Sequence, residues 1–179
     1  MLKNISSFLL GDPIDRLFEA LSIGKTEDLY KYVSSGGDPN ASKGGYGPSK
    51  TGRMSLIRLM AITGKAREVE FLLENGADPR GGDNPITGTT LLHDLADSTD
   101  ETHAKVVRKA LELGMDPNGS SRAASTPLYI AASRGNKAIV SVLLEFGADP
   151  NRTNWGGVSP LEVLGEYRDG MKCSRSTKL

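Results

Sequence analysis

The chain has 179 residues, enough for one domain with its own hydrophobic core. Basic and acidic residues number 22 each, so no net field attracts nucleic acid or an anionic membrane, and we expect neither as a partner. The single cysteine, Cys173, excludes an intramolecular disulfide and a cysteine-based metal site. The apolar stretch in residues 1–10 is too short for a secretory signal. We therefore expect an intracellular, cytoplasmic protein, with secretion by another route left open.

A short motif, Gly-x-Asp-Pro, recurs four times. Its Asp-Pro pairs begin at residues 38, 78, 116 and 149, and the shortest interval, 33 residues, gives the basic repeat. The predicted repeat domain spans 12–165, with repeats at about 12–40, 52–80, 87–118, 123–151 and 156–165. Residues 1–11 are expected to be an N-terminal extension, and residues 166–179 a disordered tail.

The first two repeats each begin with a helical pattern. In repeat one, Leu17 and Ala20 keep helical spacing and Asp15 is the predicted N-cap; in repeat two the N-cap is Ser55. Between them, residues 40–53 form a loop about seven residues longer than the repeat requires. The loop is basic and rich in glycine. It is either a functional loop or an insertion that the fold tolerates, and the sequence leaves both interpretations open.

Repeat four shows the pattern most fully. Thr126 is the predicted N-cap, Pro127 takes the first helical position, and Gly135 ends the helix. A second helical pattern over residues 138–146 has a broad apolar face. Helices of roughly 8–10 residues are marginal alone, so the repeats must stack. The predicted core of this repeat is Leu128, Ala131, Ala132, Val140, Leu143 and Leu144.

Two segments of repeat four, Thr126-Pro127-Leu128-Tyr129-x-Ala131-Ala132 and Leu143-Leu144-Glu145-x-Gly147-Ala148-Asp149, resemble the ankyrin-repeat signature. The likeness is good in repeat two and weaker in repeat three, where three extra residues separate the helices around 99–103. The resemblance implies an all-α solenoid of about four and a half helix-turn-helix repeats. It also implies hairpin-like loops, called fingers, and a concave binding surface formed by fingers and first helices.

The concave face and the fingers hold the candidate contact residues. Trp155, the only tryptophan, lies in the last finger, and Tyr46 is the single aromatic of the long first loop. The predicted partner-binding residues are Trp155, Tyr46, Lys43, Lys50, Arg53, Arg152, Asn154, Arg134, Asp94 and Asp97. On the first helices we further expect outward-facing side chains at Glu19, Ser22, Ile23, Leu59, Ile62, Thr63, Ser98, Ile130 and Ser133.

Two other kinds of site compete with this hypothesis. Residues 44–51 imitate a phosphate-binding loop, but Ser49 replaces its second glycine and no hydrophobic strand precedes it. The acidic stretch 93–103 contains two histidines, but the resemblance gives His93 a role in tying the turn together rather than in metal binding.

The sequence therefore predicts a protein-binding module with one dedicated protein partner, and inhibiting, neutralising or regulating a toxin or enzyme is one form of that function. We expect no enzyme, no catalytic residue, no cofactor and no metal, and a monomer when free. The alternative is an enzyme or a binder of nucleotide, metal or another small ligand that uses the 43–53 loop and the acidic stretch 93–103. A third possibility is that the chain is a subunit of a larger assembly.

Overall fold

The computed structural model describes residues 12–46, 52–84 and 86–168. In these ranges the chain is predominantly helical and has one two-stranded sheet that does not close. The helices are α1 Pro13–Ser22, α2 Glu27–Ser34, α3 Leu56–Ile62, α4 Ala66–Glu74, α5 Leu91–Ala96, α6 His103–Glu112, α7 Pro127–Arg134, α8 Lys137–Glu145 and α9 Pro160–Arg168. The strands are β1 Ser42–Tyr46 and β2 Gly52–Ser55, and a 3-10 turn covers Pro79–Gly82.

The chain divides into two compact units, split between Gly82 and Asp83. The N-terminal unit holds the helix pairs α1/α2 and α3/α4 with the two strands, and the C-terminal unit holds α5/α6, α7/α8 and the single helix α9. Both are predominantly helical helix-turn-helix arrays with irregular connections, and this is consistent with the predicted all-α repeat solenoid. The boundaries predicted for the individual repeats stay predictions.

Several helices begin or end at capping residues. The hydroxyls of Ser55 and Thr126 accept the backbone N–H groups of Arg58 and Tyr129, so α3 and α7 each have a side-chain N-cap. Helix α7 ends at Gly135, which has a left-handed φ of 70° that glycine adopts without a steric penalty. The prediction of Asp15 as the first cap was wrong: Asp12 accepts the Ile14 N–H at 2.9 Å, and Asp15 lies inside the first turn.

The N-terminal unit buries a core between its two helix pairs. Phe18 and Leu29 are fully buried in the first pair, and Leu56, Met60 and Leu72 in the second. The rings of Tyr30 and Phe71 lie 4.6 Å apart, which links α2 to α4. Burial of these large apolar side chains stabilises helices too short to persist alone.

The C-terminal unit has the same construction. Its fully buried large side chains are Leu91, Leu92, Leu95, Leu128, Ile139 and Leu143. Helix α8 packs against α6, and α9 packs against α7. Leu144, which we expected in the core, is 40% exposed, whereas Leu111 at the equivalent position of α6 is 5% exposed. The reason is that α8 covers α6, while no second helix follows α9 in the described part of the chain to cover α8.

An asparagine joins consecutive repeats within each unit. The Asn118 amide oxygen accepts the Asp149 N–H at 2.7 Å, and its NH₂ group donates to the Gly147 carbonyl at 3.0 Å. Asn40 makes the same two hydrogen bonds, to Asp78 and Gly76, in the N-terminal unit. These asparagines follow Asp-Pro, so the recurring motif has a structural role in aligning one repeat with the next.

The long loop after repeat one contains a β-hairpin. Strands β1 and β2 pair antiparallel, with Ser42 opposite Ser55 and an irregularity between Gly44 and Tyr46. These strands were not predicted from the sequence, which indicated only a long loop. The residues 47–51 that join the strands lie outside the described part, as do the predicted extension 1–11 and residues 169–179 of the predicted tail; helix α9 continues through Arg168, so 166–168 are helical.

Candidate partner-binding surface

The last finger, residues 152–159, is a tight turn held by Asn154. The Asn154 N–H donates to the Val158 carbonyl at 3.0 Å, and its side-chain oxygen accepts the N–H groups of Gly156 at 2.8 Å and Val158 at 3.2 Å. Asn154 is half-buried, so its amide serves the finger's own geometry. Trp155, the next residue, is therefore presented from a closed turn.

The two preceding fingers of the C-terminal unit, residues 83–90 and 119–126, close in a related way. The Ser121 N–H donates to the Ser125 carbonyl at 3.0 Å, and the Asn84 N–H donates to the Thr89 carbonyl at 2.7 Å. All three fingers turn through one residue with positive φ: Gly88 at 68°, Ala124 at 55° and Gly157 at 73°. Ala124 is the one residue other than glycine with positive φ in the described ranges.

Main-chain hydrogen bonds connect these fingers into a ladder. The Arg122 N–H donates to the Thr87 carbonyl at 2.8 Å, and the Trp155 N–H donates to the Ala123 carbonyl at 3.4 Å. Each finger is thus placed against the one before it by backbone atoms. The ladder puts the three residues at equivalent turn positions, Ile86, Arg122 and Trp155, next to one another in order.

These three side chains, the tip row, are all exposed. Trp155 is 79% exposed and Ile86 is 48% exposed, and Arg122 lies between them. Trp155 is a predicted contact residue, whereas Ile86 and Arg122 were not predicted. A constant spacing in the sequence could have identified all three residues. Each of them lies four positions before the N-cap of the following helix, at Thr90, Thr126 and Ser159.

Arg152, a predicted contact residue, lies at the start of the last finger. Its guanidinium donates to the Asn118 carbonyl at 2.8 Å. In the described part of the chain it forms no ion pair, so its positive charge is held in place by a neutral acceptor. The finger therefore combines a fixed cation with an exposed aromatic ring.

Two further predicted residues pair with each other on the first helices of the C-terminal unit. The Arg134 guanidinium contacts the Asp97 carboxylate, with Nε and Nη2 at 2.7 and 2.6 Å from Oδ1. Both are about half exposed, so the pair contributes little to stability. Asp94 is half-buried. Leu59, expected to face outward, is 3% exposed, and that expectation was wrong because α3 buries nearly all of its side chains.

In the N-terminal unit, the predicted contact residues lie on the hairpin. The Lys43 ammonium is 3.1 Å from the Asp15 carboxylate, which links β1 to α1, and Arg53 donates twice to the Ser42 hydroxyl across the strand pair. Tyr46 ends β1, and only its backbone is described. Lys50 lies outside the described residues. Lys43 and Arg53 are therefore engaged within the unit.

A family model described as ankyrin repeats, three copies, matches residues 57–154. This range covers more than half of the 179 residues and includes three of the helix pairs. The chain belongs to the ankyrin-repeat family. No curated protein matches it significantly. The α1/α2 pair and helix α9 lie outside the matched range, and their helix-turn-helix and single-helix forms extend the ankyrin pattern at either side.

The acidic stretch 93–103 begins with a histidine that has a structural role in its ankyrin repeat. The buried His93 ring accepts the Thr90 N–H at Nδ1, 3.0 Å away, and its Nε2 lies 2.9 Å from the Ser125 carbonyl. Because Nδ1 accepts, the ring proton is on Nε2 and donates to Ser125. This confirms that His93 ties its turn together, and the structure shows in addition that His93 links this turn to the next finger.

His103, at the start of α6, is 1% exposed, and its Nδ1 lies 3.2 Å from the Ser98 hydroxyl. Burial lowers the pKa of His103 below its ordinary value of 6.5, because the charged ring would lose its hydration. Across the described ranges, no group of three or more His, Cys, Asp or Glu side chains is arranged to hold a metal ion.

Ankyrin repeats are generally protein–protein interaction modules and are typically not enzymatic. In the part of the chain that the structure describes, no helix has both the length and the apolar character needed to cross a bilayer. The fingers of the C-terminal unit are exposed, so they are the candidate surface for a protein–protein interaction.

Proposed function

We propose that this ankyrin-repeat chain binds one dedicated protein partner in the cytoplasm through the fingers and first helices of its C-terminal unit, and that binding inhibits or neutralises that partner. The proposal rests on the exposed and fixed position of Trp155. A tryptophan ring that is 79% exposed contributes little to the fold, yet its finger is closed by Asn154 and joined to Ala123.

Large rigid aromatic side chains are frequent anchors in protein interfaces, because they bury much area and lose little conformational entropy. A turn that is already closed lowers the ordering cost of binding further. The irregular connections between the repeats support a dedicated partner over a general scaffold, and inhibition is one form such a complex takes.

The test is an affinity purification from the native cell with the wild-type chain and with Trp155→Ala. We expect a protein partner that binds the wild type and is reduced at least about tenfold with the variant, as for an interface anchor. Leu161→Ala is the matched control, because Leu161 is 54% exposed but lies on α9 outside the fingers. Thermal unfolding of both variants checks that they remain folded.

Inhibition is tested by adding the purified chain to the purified partner and measuring the partner's own activity. A partner that is bound equally well by Trp155→Ala, or a wild-type chain that recovers no protein at all, would contradict the proposal. A second arm adds ATP or MgCl₂ to the chain alone; a rise in the unfolding temperature would favour the small-ligand alternative instead.

A further inference from the structure

The first helix pair has a cleft between α1 and α2. The cleft has a volume of about 510 Å³. Its lining includes the apolar residues Pro13, Leu17 and Tyr32 and the charged residues Arg16, Asp28 and Lys31. The Lys31 ammonium lies 3.7 Å from the Asp28 carboxylate, and both side chains are largely exposed, so this ion pair borders the cleft. The cleft therefore combines an apolar part with a charged border.

The lining residues of α2 lie on the side of the helix that is turned away from α4. The Tyr30 ring contacts Phe71 of α4, so Tyr30 marks the side of α2 that packs on the next repeat. Successive residues of an α-helix are about 100° apart, so Tyr32 lies about 160° from Tyr30 around the helix, and Ser35 about 140°. The cleft thus opens on the face of α2 opposite to the next repeat.

In a later repeat, the corresponding face is covered by the repeat before it. Equivalent positions are found by counting back from the glycine that follows each second helix, Gly36 in repeat one and Gly76 in repeat two. Lys31 and Phe71 both lie five residues before this glycine. The Phe71 ring contacts Tyr30 of the preceding repeat, so the face that carries Lys31 is the one on which a preceding helix packs.

Two further positions show the same relation. Ser35 corresponds to Phe146, and the Arg108 guanidinium of the preceding repeat lies 5.6 Å from the centre of that ring. Tyr32 is half-buried, whereas the corresponding residues of the later repeats are fully buried: Leu72, Ala110 and Leu143. The first repeat therefore presents, as a cleft, a face that a preceding helix covers elsewhere in the chain.

The segment before the first repeat has the sequence pattern of such a helix. Residues 1–11 lie outside the described part of the chain, and they join it next to Pro13, which itself lines the cleft. Four of their apolar residues have the three- and four-residue spacing of one helix face: Leu2, Ile5, Phe8 and Leu9. Lys3, Asn4, Ser6 and Ser7 would lie on the other face, together with Leu10.

We infer that residues 2–10 form a capping helix whose apolar face docks in this cleft, in the place that a preceding repeat takes later in the chain. Nine helical residues span about 14 Å and the eight residues of α2 span about 12 Å, so the two lengths match. The terminal unit of a repeat array needs a cap with a polar outer face, and burial of Ile5 and Phe8 against Tyr32 favours docking. The cap is independent of the proposed function, which concerns the C-terminal unit.

The first test introduces a carboxylate on either face of the segment in the full chain. Phe8→Asp and Ile5→Asp should each lower the midpoint of thermal unfolding by at least about 4 °C, because an unpaired charge is costly to bury in the cleft. Asn4→Asp and Ser7→Asp are the matched controls, since each adds the same charge one residue earlier on the polar face. They should shift the midpoint by less than about 2 °C.

The second test locates the segment by disulfide formation in a Cys173→Ser background. Pro13 and Ser35 both line the cleft, at the same end of the helix pair, so Leu9 is expected near Ser35. Leu9→Cys combined with Ser35→Cys should form an intramolecular disulfide on mild oxidation, which requires Cα atoms within about 7 Å. Ser7→Cys with Ser35→Cys is the control and should stay largely reduced. Non-reducing electrophoresis and mass spectrometry provide the readout.

Equal losses of stability on the two faces, or no loss on the apolar face, would overturn the inference. So would a Ser7 pair that oxidises as readily as the Leu9 pair, or a disulfide found only in dimers, because the cleft would then take a segment of a second copy. The disulfide decides even if Phe8→Asp does not fold. A chain in which Phe8→Asp is as stable as Ser7→Asp, but in which partner binding needs Trp155, would have no cap and would leave the proposed function standing.

Discussion

At the scale of single residues, Ala124 is the place where this chain departs from its own pattern. The other two fingers have glycine at the turn position, and Ala124 adopts a φ of 55° where a Cβ atom is unfavourable. Such strain is retained when the surrounding structure imposes it, and here the finger ladder imposes it.

We expect Ala124→Gly to raise the free energy of unfolding by about 0.5–1 kcal/mol, because glycine relieves the left-handed strain while the unfolded chain becomes somewhat more flexible. Chemical denaturation measures the change. Ala123→Gly is the control: its φ is not positive, so the same substitution one residue earlier should give no gain. Equal effects at the two positions would show that the strain argument is wrong.

His103 makes the stability of the protein depend on pH. The folded state holds its pKa below 6.5, whereas the unfolded chain titrates near 6.5, so below about pH 6.5 the unfolded state binds more protons. The free energy of unfolding should therefore fall as the pH falls from 6.5, and this contribution should level off below the folded pKa.

His103→Gln removes the titrating group and keeps a polar side chain beside Ser98. Urea titrations at about pH 7.5 and pH 5 should show a smaller loss of stability in the variant than in the wild type. His93 is common to both proteins, so the difference between them reports His103. Identical losses would exclude this histidine as the cause.

At the scale of secondary-structure elements, the asparagines after Asp-Pro align neighbouring repeats. We expect Asn118→Ala to cost about 1–2 kcal/mol, since it removes the acceptor for Asp149 and the donor for Gly147. Asn151→Ala is the matched control, because the Asn151 side chain forms no hydrogen bond in the described part of the chain. Thermal or urea unfolding of both variants decides; a similar loss in each would mean that the two hydrogen bonds contribute nothing.

Many of the helix caps and helix ends could be predicted from the sequence. Caps such as Ser55 and Thr126 and the glycine that ends α7 follow local rules, and each lies where expected. The hairpin β1/β2 could not be read, because its strands are short, rich in glycine and lack an alternating pattern. The exposure of Leu144 was also missed, since it depends on whether another helix follows rather than on the sequence of α8.

The candidate site was predictable only in part. An isolated tryptophan in a finger drew attention to Trp155, but Ile86 and Arg122 are ordinary residues until the hydrogen bonds between fingers place them beside it. Arg134 and Asp97 were both selected from the sequence, and only the structure reveals that they pair with each other. Contacts between repeats are long-range, and periodicity within one repeat does not report them.

At the scale of the whole molecule, basic and acidic residues balance at 22 each, so no global field steers a partner. Any dependence of binding on ionic strength must come from a local group, and Arg152 is the candidate. We expect the affinity for the protein partner recovered by affinity purification to fall about three- to tenfold between 50 and 300 mM NaCl, because salt screens an exposed charge such as that of Arg152.

The same salt titration of Arg152→Ala should be nearly flat, and isothermal calorimetry at the two salt concentrations provides the measurement. A steep dependence that survives in the variant would place the electrostatic contact elsewhere on the chain. An affinity of the wild type that is insensitive to salt would argue against an ionic contact between Arg152 and the partner.

The finger ladder has one more consequence. The bonds that place Arg122 and Trp155 are made by main-chain atoms, Thr87 and Ala123 supplying only their carbonyls. Substitutions at Ile86, Arg122 and Trp155 can therefore change the exposed side chains without changing the backbone positions of the fingers. A laboratory library restricted to these three codons would therefore vary the exposed side chains of the fingers while the main-chain hydrogen bonds between them are kept.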